Sequence, residues 1–402
     1  MIRIVFVFVL CLLSQALCAQ TPLPVTDDYA VTTGAERTAD YLPLLHDKRV
    51  ACVVNQTSII GKRHLVDSLQ SIGVNITTIF APEHGFRGDL ADGVHVHDYK
   101  DSISGINVIS LFGKSFKPTS QDLKNCDVVI FDIQDVGVRF YTYISTMHYI
   151  MEACAENNIP LLIFDRPNPN GHYVDGPVLN AAKPSFVGMH PIPIVHGLTI
   201  GELALMINGE KWLKDSLHCD LTIIPCQHWD HGMLYQLPVK PSPNLTSMES
   251  VYLYPSLGLF EGTVISVGRG TTTPFEMIGH PQIKDTSFSF TPEPIKGMSD
   301  NPPLKGQKCY GYNFKSFASD YLRFNGQVFL YWMSELYCEM DTNPAVPYFF
   351  NAATFDRLAG NSTLREQIMK GVSVEKIRAS WQPELITYKT LRKKYLLYKD
   401  FE

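Results

Sequence analysis

The chain has 402 residues, of which 45% are hydrophobic and 18% charged, and its formal net charge is -6 at pH 7. This length and composition allow one large or two ordinary domains with a packed core. The acidic balance without a basic patch also argues against nucleic acid as a partner.

The first residues have the pattern of a secretory signal peptide, predicted for residues 1–19. Arg3 precedes an apolar run over residues 4–13 that is too short to span a bilayer, and small residues follow. We therefore expect an exported protein, periplasmic or secreted. Leu17 is too bulky for the position before a lipidated cysteine, so we expect no lipid anchor on Cys18.

Strand and helix patterns alternate through the first half of the chain. Strands are predicted at 49–54, 74–80, 106–112, 127–131 and 160–164, and helices at 62–72, 118–123 and 140–157. This order predicts an α/β fold with a mostly parallel sheet, right-handed crossovers and helices on both faces.

The second half is less regular, and its proline-rich start suggests a crossing to a second unit. The predicted elements are a polar lead-in at 20–40, a strand at 221–225, a linker at 236–246, a helix at 247–257, a strand from 260 into a Gly-Thr loop, strands within 285–345, and helices at 355–369 and 374–381. We therefore predict two domains, at 20–240 and 241–402.

Polar side chains follow the predicted strands of the first half. Glu83 and His84 lie in a loop with two glycines and Arg87, directly after the strand at 74–80. The other strand ends carry Asn55; Asp132, Asp135 and Arg139; and Asp165, Arg166 and Asn168. Because the carboxyl ends of parallel strands share one edge, where ligands bind, these groups predict a site there. The alternative is a charged surface loop in which Glu83 and Arg87 pair with each other.

Several familiar motifs are missing, and no cofactor or metal is predicted. No Gly-x-Gly-x-x-Gly follows the first strand, and no P-loop or Gly-x-Ser-x-Gly elbow is present. The histidine pairs at 95–97 and 228–231 lack metalloprotease spacing, so we expect solvated loops. Thr199 and Glu202 have the spacing of a structural capping box. Cys219 and Cys226 flank a strand and could pair.

The motifs together resemble the NamZ-like exo-β-N-acetylmuramidases. The resemblance rests on Ala-Pro-Glu-His-Gly-Phe-Arg-Gly from 81, Phe-Asp-Ile-Gln-Asp-Val-Gly-Val-Arg-Phe-Tyr-Thr-Tyr from 131, Asp-Arg-Pro-Asn-Pro from 165, Ser-Pro-Asn-Leu from 242 and Gly-Arg-Gly-Thr-Thr-Thr-Pro-Phe-Glu from 268.

The resemblance implies an exported enzyme that releases N-acetylmuramic acid from the non-reducing ends of peptidoglycan fragments. It also implies a Rossmann-like domain beside a smaller α/β domain, with the active site in the cleft between them. The Glu of the Pro-Glu-His-Gly motif, here Glu83, is the favoured catalytic residue of that family.

The residues themselves suit this chemistry, because glycoside cleavage needs a carboxylic acid to protonate the leaving oxygen. The second catalytic group stays open between Asp132, Asp135, Glu276 and assistance by the substrate's acetamide. An arginine should clamp the lactyl carboxylate of the sugar. The candidate catalytic residues are Glu83, His84, Asp132 and Asp135, and the candidate substrate-binding residues are Asn55, Arg87, Arg139, Tyr141, Arg166, Asn168, Arg269 and Glu276.

Two other classes of protein fit the same residues. A secreted sugar- or anion-binding protein would use Glu83 only as a hydrogen-bond acceptor. A metal-dependent hydrolase or esterase would use Glu83, His84 and Asp132. The expected partner is a muropeptide or a glycan chain end, and the oligomeric state is left open.

Overall fold

The centre of the fold is strand β1, Val50–Val54, in which every residue is buried. In the computed structural model, residues 30–88, 98–341 and 343–402 are described. Val50, Cys52 and Val54 join one apolar core, whereas Ala51 and Val53 join the core on the opposite face of the sheet. A parallel strand that is covered on both faces needs this unbroken apolar run, because its side chains point alternately to the two faces.

The strands of the first half surround β1 in the order expected for a Rossmann-type sheet. After β1 they are β2 Ile59–Ile60, β3 Arg63–His64, β4 Ile76–Ala81, β5 Tyr99–Lys100, β6 Asn107–Ser110, β7 Val128–Asp132, β8 Leu161–Phe164 and β9 Leu221–Ile224. Within the described residues, seven strands form one sheet in the order β5-β6-β4-β1-β7-β8-β9. All neighbours run parallel except β5 and β6, which are antiparallel.

This strand order confirms the predicted mostly parallel α/β fold and locates the switch point of the sheet. The chain builds outward from β1 through β4 and β6, then returns to the other side of β1 with β7. Ligands of such sheets bind outside the carboxyl ends of the strands at this reversal. The ends of β1, β4 and β7 are therefore the place to look for chemistry.

Helices cover both faces of the sheet and make up much of the second half. They are α1 Thr38–Leu45, α2 Leu65–Ser71, α3 Ser120–Leu123, α4 Tyr143–Asn157, α5 Ile200–Gly209, α6 Met248–Leu257, α7 Lys315–Phe317, α8 Tyr331–Met340, α9 Ala352–Ala359, α10 Thr363–Met369 and α11 Val374–Arg392. The predicted capping box is confirmed, because Thr199 caps α5 and Glu202 bonds back to it. A short 3₁₀ turn and α1 also occupy 34–45, where we expected a loose lead-in.

The predicted strand from residue 260 is wrong. Gly258–Gly262 forms a 3₁₀ helix that continues from α6, and residues 263–266 make only isolated bridges. The β-branched run after Gly262 suggested a strand. Gly262 instead lets the turn lie directly on α9, where an added β-carbon would sit 2.5 Å from Phe355 Cα.

Helices also replace some strands that we predicted within 285–345. β10 Met277–His280, β11 Ser289–Phe290 and β12 Cys309–Asn313 form a small antiparallel sheet, ordered β10-β12-β11. Beyond it, the aromatic-rich sequence forms a π-helix at Ala318–Leu322 and then α8. Aromatic residues have a high strand propensity, but here tertiary packing decides the structure.

The end of the chain returns to the sheet of the first half. Tyr388 donates to the His196 carbonyl at 2.7 Å, and Tyr398 donates to Asp165 Oδ2 at 2.5 Å. The backbone N–H of Gly34 donates to the Asp165 carbonyl at 2.9 Å. One apolar core also extends from β7 to α11. The division into domains at 20–240 and 241–402 stays a prediction.

Two further expectations are settled by burial. His228 is exposed, as expected for a solvated loop, but His231 is buried and bound to Glu202 at 3.0 Å, so the expectation is wrong for His231. Cys219 and Cys226 are buried free thiols and do not pair. The pair at 95–97 lies outside the described residues. Within the described part of the chain, no helix combines the length and the apolar character that crossing a membrane requires.

Candidate active site

The ends of β1 and β7 are locked together at the switch point by short side chains. Asn55 Oδ1 accepts from the Thr57 backbone N–H at 2.9 Å and from its hydroxyl at 2.6 Å. The Thr57 hydroxyl in turn accepts from the Gln134 N–H at 3.0 Å. Because Thr57 holds Asn55 Oδ1, the Nδ2 of Asn55 points away from Thr57. This nitrogen has no hydrogen-bond partner among the described residues.

The Glu83 loop has a backbone that few sequences could adopt. His84 lies at φ 71° and Gly85 at φ 78°, and the Gly85 N–H closes a turn onto the Pro82 carbonyl at 3.0 Å. A left-handed backbone conformation at a histidine costs conformational energy, which the surrounding packing has to offset. Phe86 contributes to this packing, because its side chain is fully buried and meets the His64 ring edge-on at 4.7 Å. Glu83 itself is half-buried, and the His84 side chain is buried.

Arg87 anchors the far side of this loop. Its Nε and Nη2 bind the two oxygens of Asp101 at 3.0 and 2.9 Å, and it also reaches Asp67 at 3.3 Å. Arg87 holds the pKa of Asp101 well below its usual range. The alternative in which Glu83 and Arg87 pair with each other is therefore wrong, because Arg87 pairs with these two aspartates instead.

Asp132 and Arg166 form a buried ion pair beneath the site. Arg166 Nε and Nη2 bind the two Asp132 oxygens at 2.6 and 2.9 Å, and Nη2 also donates to the Ile59 carbonyl at 3.1 Å. Burial raises the pKa of Asp132, and the charge of Arg166 opposes that shift. Both groups thus bind each other, and their predicted roles with substrate stay predictions.

Asp135 faces a buried histidine that the sequence did not single out. Asp135 Oδ2 accepts from the Gly137 N–H at 2.7 Å, and His196 Nε2 lies 3.5 Å from the same oxygen. His196 Nδ1 accepts from the Leu198 N–H, so a neutral ring carries its proton on Nε2, toward Asp135. Asp135 Oδ1 has no hydrogen-bond partner within the described ranges. His196 follows a short apolar run rather than a strand of the sheet, so the strand-end rule missed it.

Arg139 and Asn168 form hydrogen bonds with the protein backbone and do not contact Glu83. Arg139 is fully buried and donates to the carbonyls of Pro177, Ile192 and Leu358 at 2.8, 2.7 and 2.9 Å. Burial alone lowers the pKa of this guanidinium to about 9. Asn168 Nδ2 donates to the Leu198 carbonyl at 2.8 Å, and its Oδ1 accepts from Asn170.

An aromatic wall stands beside the switch point. Tyr141 and Tyr143 meet edge-on at 4.9 Å, and Tyr254 packs edge-on against Tyr141 at 6.0 Å and against Phe275 at 5.0 Å. The Tyr141 hydroxyl donates to the Pro241 carbonyl at 2.6 Å. The Tyr143 hydroxyl is buried and has no hydrogen-bond partner in the described part of the chain.

The charge of Glu83 acts on at least four ionisable groups among the described residues. Burial raises the pKa of Tyr143 and of Tyr254, and Glu83 adds to both shifts. Burial and Glu83 raise the pKa of Glu261 to about 8. Burial lowers the pKa of Arg269 to about 10, and Glu83 opposes that shift. Glu83 therefore shares one electrostatic neighbourhood with two tyrosines of the wall and with a carboxylate and an arginine from the second half.

Arg269 and Glu276 belong to the Gly-Thr loop that faces this neighbourhood. Arg269 Nε lies 2.6 Å from Glu261 Oε1, and its guanidinium lies over the Phe275 ring at 5.1 Å. Glu276 is buried and accepts from the Ser247 hydroxyl at 2.6 Å, which links the loop to the start of α6. Glu261 and Tyr254 were not among the predicted residues. Glu261 lies eight positions before Arg269, and this short distance from the Gly-Thr loop was the only sequence signal that could have found it.

Comparison with known proteins identifies the family. The family model described as exo-β-N-acetylmuramidase NamZ, N-terminal, matches residues 50–249, and its C-terminal counterpart matches residues 252–398. Peptidoglycan β-N-acetylmuramidase NamZ of Bacillus subtilis (strain 168) is 42% identical over 376 residues, which cover 89% of each chain. The chain belongs to the NamZ family.

Two solved structures share the fold. Both are DUF1343 family proteins from Bacteroides fragilis NCTC 9343. The first has a TM-score of 0.84 at 45% identity, covering 92% of this chain and 100% of that one. The second has a TM-score of 0.79 at 31% identity, covering 92% of this chain and 99% of that one. The predicted family resemblance is thus confirmed along nearly the whole chain.

In this NamZ family member the predicted site residues differ in what they contact. Arg269 shares the neighbourhood of Glu83, as do Tyr143, Tyr254 and Glu261, which we did not predict. Arg87, Asp132, Arg139, Arg166 and Asn168 instead bind other protein groups that build the loops. The catalytic and substrate-binding roles of individual residues stay predictions.

Proposed function

We propose that the protein is an exo-acting glycoside hydrolase that releases N-acetylmuramic acid from the non-reducing end of peptidoglycan fragments. Membership of the NamZ family over both halves of the chain carries this proposal. The site supports it, because a half-buried carboxylate lies in a strained loop at the switch point of the sheet, beside an aromatic wall. The substrate is a muropeptide or a glycan chain end.

We assign Glu83 the role of the acid that protonates the leaving glycosidic oxygen. Its loop is fixed on both sides, by Phe86 in the core and by Arg87 on two aspartates, so the carboxyl has a defined position. A general acid needs such positioning, because proton transfer depends on hydrogen-bond geometry with the leaving atom. The second group stays open between Asp135, Glu276 and the acetamide of the substrate itself. Asp132 is the weaker candidate, since Arg166 occupies both of its oxygens.

Arg269 is the arginine that we assign to the lactyl carboxylate. It is 19% exposed, and it lies close enough to Glu83 to feel its charge. Arg269 also binds Glu261 through Nε, but it is partly exposed, whereas Arg139 and Arg166 are buried and Arg87 bridges two aspartates. A planar guanidinium binds a carboxylate through two parallel hydrogen bonds, which suits it to select this substrate.

We also propose that the protein is exported, to the periplasm or beyond the cell. The support is the sequence pattern at residues 1–19, with Arg3 before a short apolar run. Expression of the full chain in a bacterial host, followed by mass determination of its amino terminus, tests the proposal. Loss of about the first 19 residues is expected, whereas an intact amino terminus in the cytosolic fraction would refute export.

The decisive experiment is hydrolysis of para-nitrophenyl β-N-acetylmuraminide, with the β-N-acetylglucosaminide as the control substrate. Wild type should release nitrophenol from the muraminide only. On a disaccharide of N-acetylmuramic acid linked β-1,4 to N-acetylglucosamine, whose leaving oxygen needs a proton, Glu83→Gln should lose about three orders of magnitude in kcat, since an essential acid contributes on the order of 10²–10⁴. Turnover that persists in Glu83→Gln would move the acid role to another carboxylate. A wild type that binds N-acetylmuramic acid but never turns over would favour a binding protein, and activity lost with EDTA would favour a metal-dependent hydrolase.

A further inference from the structure

A cavity of about 500 Å³ lies between the two halves of the chain and is lined by residues that the candidate active site does not use. One wall is the segment at 177–181 in the first half. The other walls come from α10, with Asn361 just before it, and from the middle of α11. The volume lies within the range of about 300–1,000 Å³ that is usual for small-molecule sites.

The first wall is held in place by the protein itself. Arg139 donates to the carbonyls of Pro177 and Leu358 at 2.8 and 2.9 Å, so one buried guanidinium joins this wall to the end of α9. The Asn180 N–H donates to the Gly360 carbonyl at 3.0 Å, directly before α10 begins. Two parts of the chain that are far apart in sequence are thus fixed against each other, and the cavity is preformed.

The facing wall on α10 and α11 is fixed as well. Gln367 Nε2 donates to the Ser380 hydroxyl at 3.2 Å, which joins the two helices. Trp381 is buried, and the Arg378 guanidinium lies 5.6 Å from the centre of its ring. Arg378 is itself held by Asp175 at 2.8 Å. The shape of this wall therefore does not depend on a ligand.

The composition of the lining favours a neutral ligand. Leu179, Leu364 and Trp381 form its buried, apolar part. Of the described residues that line the cavity, Glu384 is the only ionisable one, and its negative charge would repel an anion. Apolar surface beside a few polar groups is the usual composition of a small-molecule site.

The polar groups of the lining can serve both donors and acceptors of a ligand. Asn361 Oδ1 accepts from the Leu364 N–H at 3.1 Å, which leaves its Nδ2 for a ligand. Gln367 donates through Nε2 and keeps its Oε1. Glu384 is exposed, and no hydrogen bond or ion pair holds its carboxylate within the described ranges. Sugar hydroxyls and acetamido groups both donate and accept, so they match this set.

We propose that this cavity is a second glycan-binding site, which takes a neutral N-acetylglucosamine unit through its hydroxyl and acetamido groups. The choice of glycan rests on the proposed function, since peptidoglycan fragments carry this sugar next to N-acetylmuramic acid. The carboxylate of Glu384 disfavours the acidic sugar, so the cavity selects the neutral one. A fragment held at a second site stays near the enzyme while its end is cleaved, which raises the effective concentration of chain ends.

Calorimetry with tri-N-acetylchitotriose tests the proposal, because this β-1,4-linked trimer of N-acetylglucosamine contains no muramic acid. Wild type should bind the trimer. Ala181→Trp places a large side chain at the exposed rim of the cavity and should weaken binding about 10-fold or more. Ala182→Trp is the matched control, since Ala182 is also exposed but does not line the cavity, and its affinity should stay within about twofold of wild type.

A second variant keeps the test valid if Ala181→Trp fails to fold. Glu384→Ala should weaken trimer binding about 10- to 100-fold, the range for loss of a hydrogen bond to a charged group. Wild-type affinity in Ala181→Trp would place the trimer elsewhere on the protein and overturn the proposal, and so would equal losses in Ala181→Trp and Ala182→Trp.

Hydrolysis of para-nitrophenyl β-N-acetylmuraminide separates this proposal from the proposed function. A wild type that cleaves the muraminide but does not bind the trimer would refute the second site alone. A wild type that binds the trimer but never cleaves the muraminide would refute the proposed function alone. Loss of muraminide cleavage in Ala181→Trp but not in Ala182→Trp would make the cavity part of the active site and overturn its assignment as a second site.

Discussion

Asp132 and Arg166 form a two-bonded ion pair under the switch point, with Nε–Oδ1 at 2.6 Å and Nη2–Oδ2 at 2.9 Å. Both side chains are almost completely buried. Because β7 ends at Asp132 and β8 ends two residues before Arg166, the pair ties two neighbouring strand ends together. A carboxylate bonded in this way has both of its oxygens occupied by Arg166.

Replacement of Asp132 by Asn should therefore reduce stability more than it reduces catalysis. The change leaves the Arg166 charge buried without its partner, which costs about 3–5 kcal/mol of unfolding free energy. Urea denaturation measures this loss, and the double variant with Arg166→Met should recover part of it. A folded Asp132→Asn protein with normal stability but no turnover would instead support the catalytic role that we predicted for this residue.

Arg139→Met should destabilise the protein while leaving substrate affinity unchanged. The substitution removes the donors for three buried carbonyls, at a cost of about 1–3 kcal/mol for each unsatisfied group. Thermal unfolding should show the loss, and KM for the muraminide should stay within about twofold for the folded fraction. A large rise in KM without a loss of stability would restore Arg139 as a ligand of the lactyl carboxylate.

Asp165 should make stability fall as the pH rises from about 4 to 6. Burial raises the pKa of this carboxyl to about 6, although it accepts from Tyr398 and Thr199. Between the unfolded pKa of about 4 and the folded pKa, the folded state binds the proton more tightly than the unfolded state. The protonated Asp165 therefore contributes its full stabilisation at low pH, and this stabilisation is lost above pH 6. The unfolding free energy that is lost in this way is about 3 kcal/mol. Asp165→Asn removes this titration, so the difference in unfolding free energy between wild type and variant should change over that interval. A constant difference from pH 4 to 8 would contradict the prediction.

Tyr143→Phe should lower activity without lowering stability. The hydroxyl is buried near Glu83, beside Asn55 and Tyr141, and makes no hydrogen bond of good geometry among the described residues, so its removal should cost the folded protein little. We expect kcat to fall about 10-fold or more, because a hydroxyl at this place can orient the acid or the sugar. Tyr41→Phe is the matched control, since that buried hydroxyl donates to the Ala35 carbonyl at 2.8 Å, far along the chain from Glu83. The control should lose about 1 kcal/mol of stability and keep its activity. Equal kcat values in the two variants would remove Tyr143 from the site.

The sheet was predictable from the sequence because its signal is local. Each parallel strand is a short apolar run that ends at polar residues, and predicted β1 differs from the observed Val50–Val54 by one residue. The Glu83 loop was also visible, since Pro, Gly and charged residues stand together at a strand end. The rule that the carboxyl ends of parallel strands share one edge also placed the polar strand-end groups correctly at one edge of the sheet.

The roles of those groups were not predictable, because a sequence shows charges but not their partners. Arg139 and Arg166 looked like ligands, and only the fold shows that carbonyls and Asp132 occupy them. Glu261 was missed for the opposite reason. It lies in a turn that looked like a strand, and that turn packs directly against α9.

Asp165 brings the two ends of the described chain together. Its carbonyl accepts from the Gly34 N–H, and its carboxylate accepts from the Tyr398 hydroxyl, which in turn accepts from the Cys226 N–H at 2.9 Å. Gly34 and Tyr398 are therefore close in space. A circular permutant that joins them by a short flexible linker, and opens the chain in an exposed loop of the second half, should keep the same fold.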